Sequence, residues 1–153
     1  MHHPPQVNKA YVLIVLNLQL ATVEELLEDT GLTLEKLEAM NTVDLPVAIR
    51  VVRNMDRYSS NPNWPALFGA HLGIASHGPA GFAALSAPTV GKALATFAEY
   101  FKLRAETYNE KINLQAKHVE IIISDTTGDD VFEEFYFEAF IGWHTKQRPD
   151  YSW

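Results

Sequence analysis

Cysteine is absent from all 153 residues. Disulfides, thiolate metal sites and cysteine nucleophiles are thereby excluded. Long apolar runs are lacking as well. The longest, Ala10–Leu16, is far too short to span a bilayer, and it has neither the basic start nor the small-residue cleavage site of a secretory signal. The expected setting is the cytoplasm, with no membrane partner. Basic residues are scarce: 12 Lys and Arg stand against 19 Asp and Glu, for a net charge of −7. Such a chain is a poor general binder of nucleic acid, because phosphate contacts need clustered cations.

Catalytic motifs are missing too. No phosphate-binding glycine loop follows a strand, and there is no G-x-S-x-G elbow. Ser76 and His77 are neighbours in sequence, but a dyad needs geometry and an orienting acid. His71 and His77 are six apart, whereas helix-borne metal pairs favour three or four. Glu133, Glu134 and Glu138 read as a solvated helix edge. No catalytic residue, metal ligand or cofactor is assigned, and the chain is not expected to be an enzyme.

What remains is ordinary globular composition, 47% apolar and 20% charged. This length suits one domain and one core. His2-His3-Pro4-Pro5 reads as a frayed end, with residues 1–7 disordered. Asn8–Ala21 is apolar almost throughout, so its period does not separate helix from strand; its length favours helix. Thr22 and Glu25 form a capping box, and Gly31 supplies a left-handed stop. Thr33 caps "LEKLEAM", and Asp44 caps a helix from Leu45 to Tyr58 with Pro46 in its first turn. "SSNPNWP" is a loop. Gly69, Gly73, Gly78 and Gly81 suggest close packing between short helical pieces.

Ser86-Ala87-Pro88-Thr89 stops the chain and restarts it. Pro88 forces Ala87 out of helical geometry, and Thr89 accepts the first free N–H groups of the next helix. There, Val90, Leu94, Phe97 and Phe101 make an apolar stripe. After residue 105 the period becomes two. Ile112, Leu114 and Ala116 mark one strand and Val119, Ile121 and Ile123 a second, with a turn near Ala116–His118. A last helix, Asp130 to His144, carries Phe132, Phe135, Tyr136, Ala139, Phe140 and Trp143 on one stripe. The fold class is α+β: a helical layer, then an antiparallel β-hairpin, then a C-terminal aromatic-rich helix. Phe137 and Ile141 fall outside the stripe of that helix. A surface apolar on two sides needs two partners: one is the core, and the second is a ligand pocket, another subunit or a further part of the protein, of which a dimer interface is the expectation taken forward for these residues.

Two segments carry a resemblance. "PALFGAHLG" and "GFAALSAPTVGKALATFAEYFKL" resemble the N-terminal effector domain, labelled arabinose-binding-like, of AraC-type transcription regulators. That family pairs P-A-L-G-L-x-L-G with L-G-x-x-G-Y-A-x-x-S-S-P-T-L-G-E-A-L-x-x-x-x-x-Y. The matches are Pro65, Ala66, Leu67, Leu72 and Gly73, then Gly78, Gly81, Phe82, Ala83, Ser86, Pro88, Thr89, Gly91, Ala93, Leu94 and Tyr100. Phe68-Gly69 replaces the family's Gly-Leu, and Ala87 replaces its second serine. The resemblance spans roughly Val23–Ile141.

It implies that residues 8–153 are the ligand-sensing and dimerising domain of a regulator. The family's helix-turn-helix DNA-binding region does not occur before Trp153, so DNA would be reached only through that missing C-terminal part. The partners so implied are a small-molecule effector and a second copy of the chain. Trp64, His71, His77 and Tyr100 lie in or near the glycine-rich segment and are the expected lining of an effector cavity. A helical layer with an antiparallel hairpin also suits a stand-alone small-molecule or haem sensor, which is the alternative reading.

Overall fold

The computed structural model describes residues 4–146. Its first element corrects the expectation of a disordered start, although residues 1–3 lie outside the described span. Strand β1 (Gln6–Asn8) pairs antiparallel with β2 (Thr42–Asp44), with Val7 opposite Val43. Val7 is buried and also bridges Ala105, and the Asn8 N–H donates to the Arg104 carbonyl. Two apolar valines and a ladder on both sides hold what composition alone marked as a tail.

Helix α1 (Lys9–Asn17) follows directly, capped by the Asn8 side chain on the Ala10 N–H. Its buried residues are Tyr11, Val12, Val15 and Leu16, a helical face, so the helix reading of this apolar stretch holds. The local capping signals also behave as expected. Thr22 and Glu25 exchange both bonds of a capping box at α2 (Val23–Leu26), and Thr33 caps α3 (Leu34–Ala39). Gly31 has a φ of +71°.

Helix α4 (Leu45–Tyr58) begins where expected, but Asp44 makes no side-chain cap bond. Its carboxylate instead accepts from the Gln6 side-chain amide, which the β1–β2 register places opposite it. Met55, Val51, Leu26, Leu37 and Val43 are among the most deeply buried residues. Among them, Asn54 donates to the carbonyls of Leu26 (3.0 Å) and Glu28 (2.8 Å), tying α4 to the end of α2.

The second half of the chain builds the aromatic side of the core. Helix α5 (Trp64–His71), a 3-10 turn (Ile74–His77), α6 (Pro79–Leu85) and α7 (Val90–Phe101) follow in short steps. Thr89 caps α7 by accepting from the Lys92 N–H at 3.2 Å. The α7 stripe is only half used: Phe97 and Phe101 are buried, whereas Val90 is 76% exposed. Strands β3 (Tyr108–Leu114) and β4 (Val119–Asp125) form an antiparallel hairpin in which Ile112 faces Ile121. Its buried face runs through Tyr108, Glu110 and Ile112, while Leu114 is exposed and Ala116 belongs to the turn.

Helix α8 (Asp130–Lys146) lies against α5 with the two backbones in contact. A Cβ on Gly69 would sit 1.9 Å from the Ala139 carbonyl oxygen, and one on Gly142 would sit 2.2 Å from that of Ala66. Only glycine permits this crossing, and the crossing sets how far apart the aromatic side chains of α5 and α8 can stand.

Candidate functional site

A cavity of about 90 Å³ opens where α1, α5, the 3-10 turn, α7, β3 and α8 meet. Helical spacing supplies most of its wall. Phe68 and Leu72 come from α5, Phe97 and Phe101 from α7, and Phe132, Phe135, Tyr136, Phe140 and Trp143 from α8. The sets recur every three or four residues, with Phe135 and Tyr136 adjacent on α8, and that spacing brings side chains to one face of a helix. The rings pack on one another as well as on the space. Trp143 stacks on Phe97 at 5.2 Å, Phe97 meets the His77 ring edge-on at 4.8 Å, and Tyr136 stacks on Tyr108 at 3.6 Å. Ring pairs of this kind add to simple burial.

Polar groups are few. The Tyr11 hydroxyl and His77 Nδ1 are 3.1 Å apart. Arg104 lies over the Tyr11 ring, its guanidinium carbon 5.5 Å from the centroid, and donates to the Ser76 carbonyl at 3.2 Å. Gly78 makes room for it. Its φ is +55°, which favours glycine, and a Cβ there would stand 2.7 Å from Arg104 Nη1 and push the guanidinium aside. On β3, Glu110 accepts from the Tyr136 hydroxyl. His77 Nε2 and Arg104 Nε are buried and have no partner among the described residues.

Burial dominates the electrostatics. It lowers the His77 pKa to about 4, with the neighbouring Arg104 charge acting in the same sense. It raises that of Glu110, against the bond from Tyr136, and raises those of Tyr11 and Tyr136. At neutral pH the imidazole is therefore uncharged. The arrangement can enclose an apolar body and fix it with a small number of hydrogen bonds.

Of the four side chains expected to line an effector cavity, only His77 lines this one. Trp64 is buried one layer behind the wall, where its ring stacks on Phe135 at 4.9 Å and its Nε1–H donates to Asp56 at 2.6 Å. His71 is exposed on α5 and its Nδ1 contacts the Leu67 carbonyl at 2.8 Å. Tyr100 is 44% exposed. The reason is rotation: His71 adjoins the inward Leu72 and Tyr100 adjoins the inward Phe101, and one residue along a helix turns the side chain by about 100°. Sequence reasoning missed Tyr11, Arg104 and Glu110. Glu110 carried a signal, since it shares the apolar parity of Ile112 on β3. Phe137 and Ile141 are exposed at 37% and 62%, one turn apart on the outer side of α8.

The family model for the arabinose-binding domain of AraC transcription regulators, N-terminal, matches residues 21–148. That span holds every cavity residue named above except Tyr11. No curated protein matches the chain significantly.

Proposed function

The chain belongs to the family of N-terminal arabinose-binding domains of AraC transcription regulators, and on that premise we propose that it is the effector-sensing and dimerising half of such a regulator. A helix-turn-helix region outside these residues would supply the DNA contacts, since a net charge of −7 suits this chain poorly for that task. The carrying observation is the aromatic cavity with its buried, partner-poor His77. An effector seated there touches α5, α7 and α8 together. It would favour whichever arrangement of those helices fits it better, by no more than its difference in affinity between the arrangements.

Helix α8 is the natural output. Its inner face lines the cavity, and Phe137 and Ile141 on its outer face are where a second copy would dock. Among the described residues no helix is long and apolar enough to cross a membrane, in keeping with a cytoplasmic regulator. The family's description names arabinose, but no effector identity is carried from it to this chain. A haem sensor is disfavoured, because a cavity of about 90 Å³ has no room for a macrocycle.

Thermal melts of the purified chain against a panel of small metabolites test the reading. At least one compound should raise Tm saturably, and Leu72→Phe, which adds bulk at the cavity wall, should abolish that effect. Stabilisation that survives Leu72→Phe would put the effector elsewhere, and no stabilisation by any compound would remove the sensing role.

A further inference from the structure

We infer that the cavity takes a neutral, chiefly apolar molecule about one ring in size, which offers a single hydrogen-bond-accepting oxygen to the Nε2–H of His77, and that polyhydroxylated sugars are not its ligands. This rests on the sensing role proposed above and names the chemistry of its effector.

The donor follows from the hydrogen-bond network. Tyr11 is buried, and Arg104, which can only donate, lies over its ring and offers its hydroxyl hydrogen no acceptor. The hydroxyl hydrogen must then go to an acceptor, and the one in contact is His77 Nδ1 at 3.1 Å. A neutral imidazole that accepts at Nδ1 carries its proton on Nε2. That Nε2–H is buried in a ring that forms part of the cavity wall, and it has no partner among the described residues. Once the neighbouring rings shift slightly to uncover Nε2, a ligand oxygen supplies what the wall lacks.

Size and charge follow from the rest of the wall. A dry apolar cavity of about 150 Å³ holds benzene, so about 90 Å³ suits a body of about one ring, admitted with small shifts of the side chains. Burial disfavours a positive charge on His77 and a negative charge on Glu110, and the same apolar wall disfavours an ion of either sign, the Arg104 charge standing outside that wall over the Tyr11 ring. A sugar fails on its hydroxyls. The wall is almost entirely ring and alkyl surface, the Tyr136 hydroxyl is already engaged with Glu110, and that of Tyr11 with His77. Every sugar hydroxyl left unpaired there costs about tenfold or more in affinity.

Tyr11 lies outside the residues matched to the family, so this orienting contact comes from the chain's own N-terminal segment.

Three probes on the full chain test this: cyclohexanone, which is a ring with one acceptor; toluene, a ring with none; and L-arabinose. Binding is read by thermal shift and by long-range ¹H–¹⁵N spectra of the imidazoles, with His77 assigned from His77→Phe. Cyclohexanone should bind saturably and move the protonated Nε2 of His77. His77→Phe should weaken cyclohexanone about tenfold and leave toluene within about twofold. If that variant does not fold, Tyr11→Phe, which frees Nδ1 and lets the proton divide between the two nitrogens, should weaken cyclohexanone several-fold. Saturable binding of L-arabinose that Leu72→Phe blocks would overturn the ligand class while leaving the cavity's sensing role standing. Cyclohexanone binding that leaves the His77 nitrogens unmoved, or no binding of cyclohexanone, would also overturn it. The metabolite panel with Leu72→Phe tests the sensing role separately.

Discussion

Acidification from pH 7 to about pH 4 is expected to cost the fold about 3 kcal/mol through His77. In the unfolded chain this imidazole titrates near 6.5, whereas burial and the Arg104 charge hold it at about 4 in the fold. Between those values the unfolded chain binds a proton that the native chain refuses, so stability falls as pH falls. The stability is fully present above about 6.5, and the loss is complete below about 4. The separation of the two values corresponds to about 3 kcal/mol, a large part of the 5–15 kcal/mol typical of a domain.

Neighbouring groups modify the slope. Tyr11 contacts Nδ1, and Arg104 adds its charge. Glu110, raised by burial, acts in the opposite sense: the native chain takes its proton more readily than the unfolded one, which offsets part of the loss as pH falls. Burial pushes Asp125 and Asp129 up, but hydrogen bonds from Thr127 and Arg53 more than reverse it, so their own loss begins only below about 3.8. Urea titrations of the parent and of His77→Phe from pH 7 to 4.5, at constant ionic strength, isolate the imidazole. The variant should lack most of the slope. Parallel pH dependences in the two proteins would refute the argument, because they would mean that His77 takes up its proton equally in both states.

Three further outcomes follow from the geometry. Gly69→Ala should destabilise by about 1–3 kcal/mol or more, since its Cβ would press on the Ala139 carbonyl; a melt that overlays the parent would mean that α5 and α8 do not touch. Pro88→Ala with Thr89→Ala should cost about 1–2 kcal/mol, chiefly through the bond to the Lys92 N–H, and unchanged melts would remove Thr89 as a cap. Phe137→Glu should convert a dimeric parent into a soluble monomer by sedimentation, and a parent already monomeric at high micromolar concentration would rule out that interface.

The parts of this protein legible in its sequence are those decided within a few residues. The Thr22–Glu25 box, the Thr33 and Thr89 caps and Pro46 in the first turn of α4 depend on bonds or clashes within one turn of helix. The α8 stripe depends only on helical spacing, and the Ser-x-Pro-Thr-x-Gly corner that marks the family is likewise a run of neighbours. Other features needed the tertiary structure. Asp44 looked like a cap because cap chemistry is local, but Gln6 reached it across a strand pair. Val7 looked like part of a tail because its partners, Val43 and Ala105, are remote in sequence.

The cavity is the extreme case. Tyr11, His77, Arg104, Glu110 and Tyr136 come from five separate elements or turns, and local periodicity carries no record of which faces will meet. His71 and Tyr100 had suitable chemistry and adjoined inward residues, yet one residue of helical rotation turned them to solvent. Chain-local energies set where helices start and stop. The close contact of α5 and α8 across Gly69 and Gly142, with the burial that follows, decided which polar side chains share an apolar space and so have chemistry to offer.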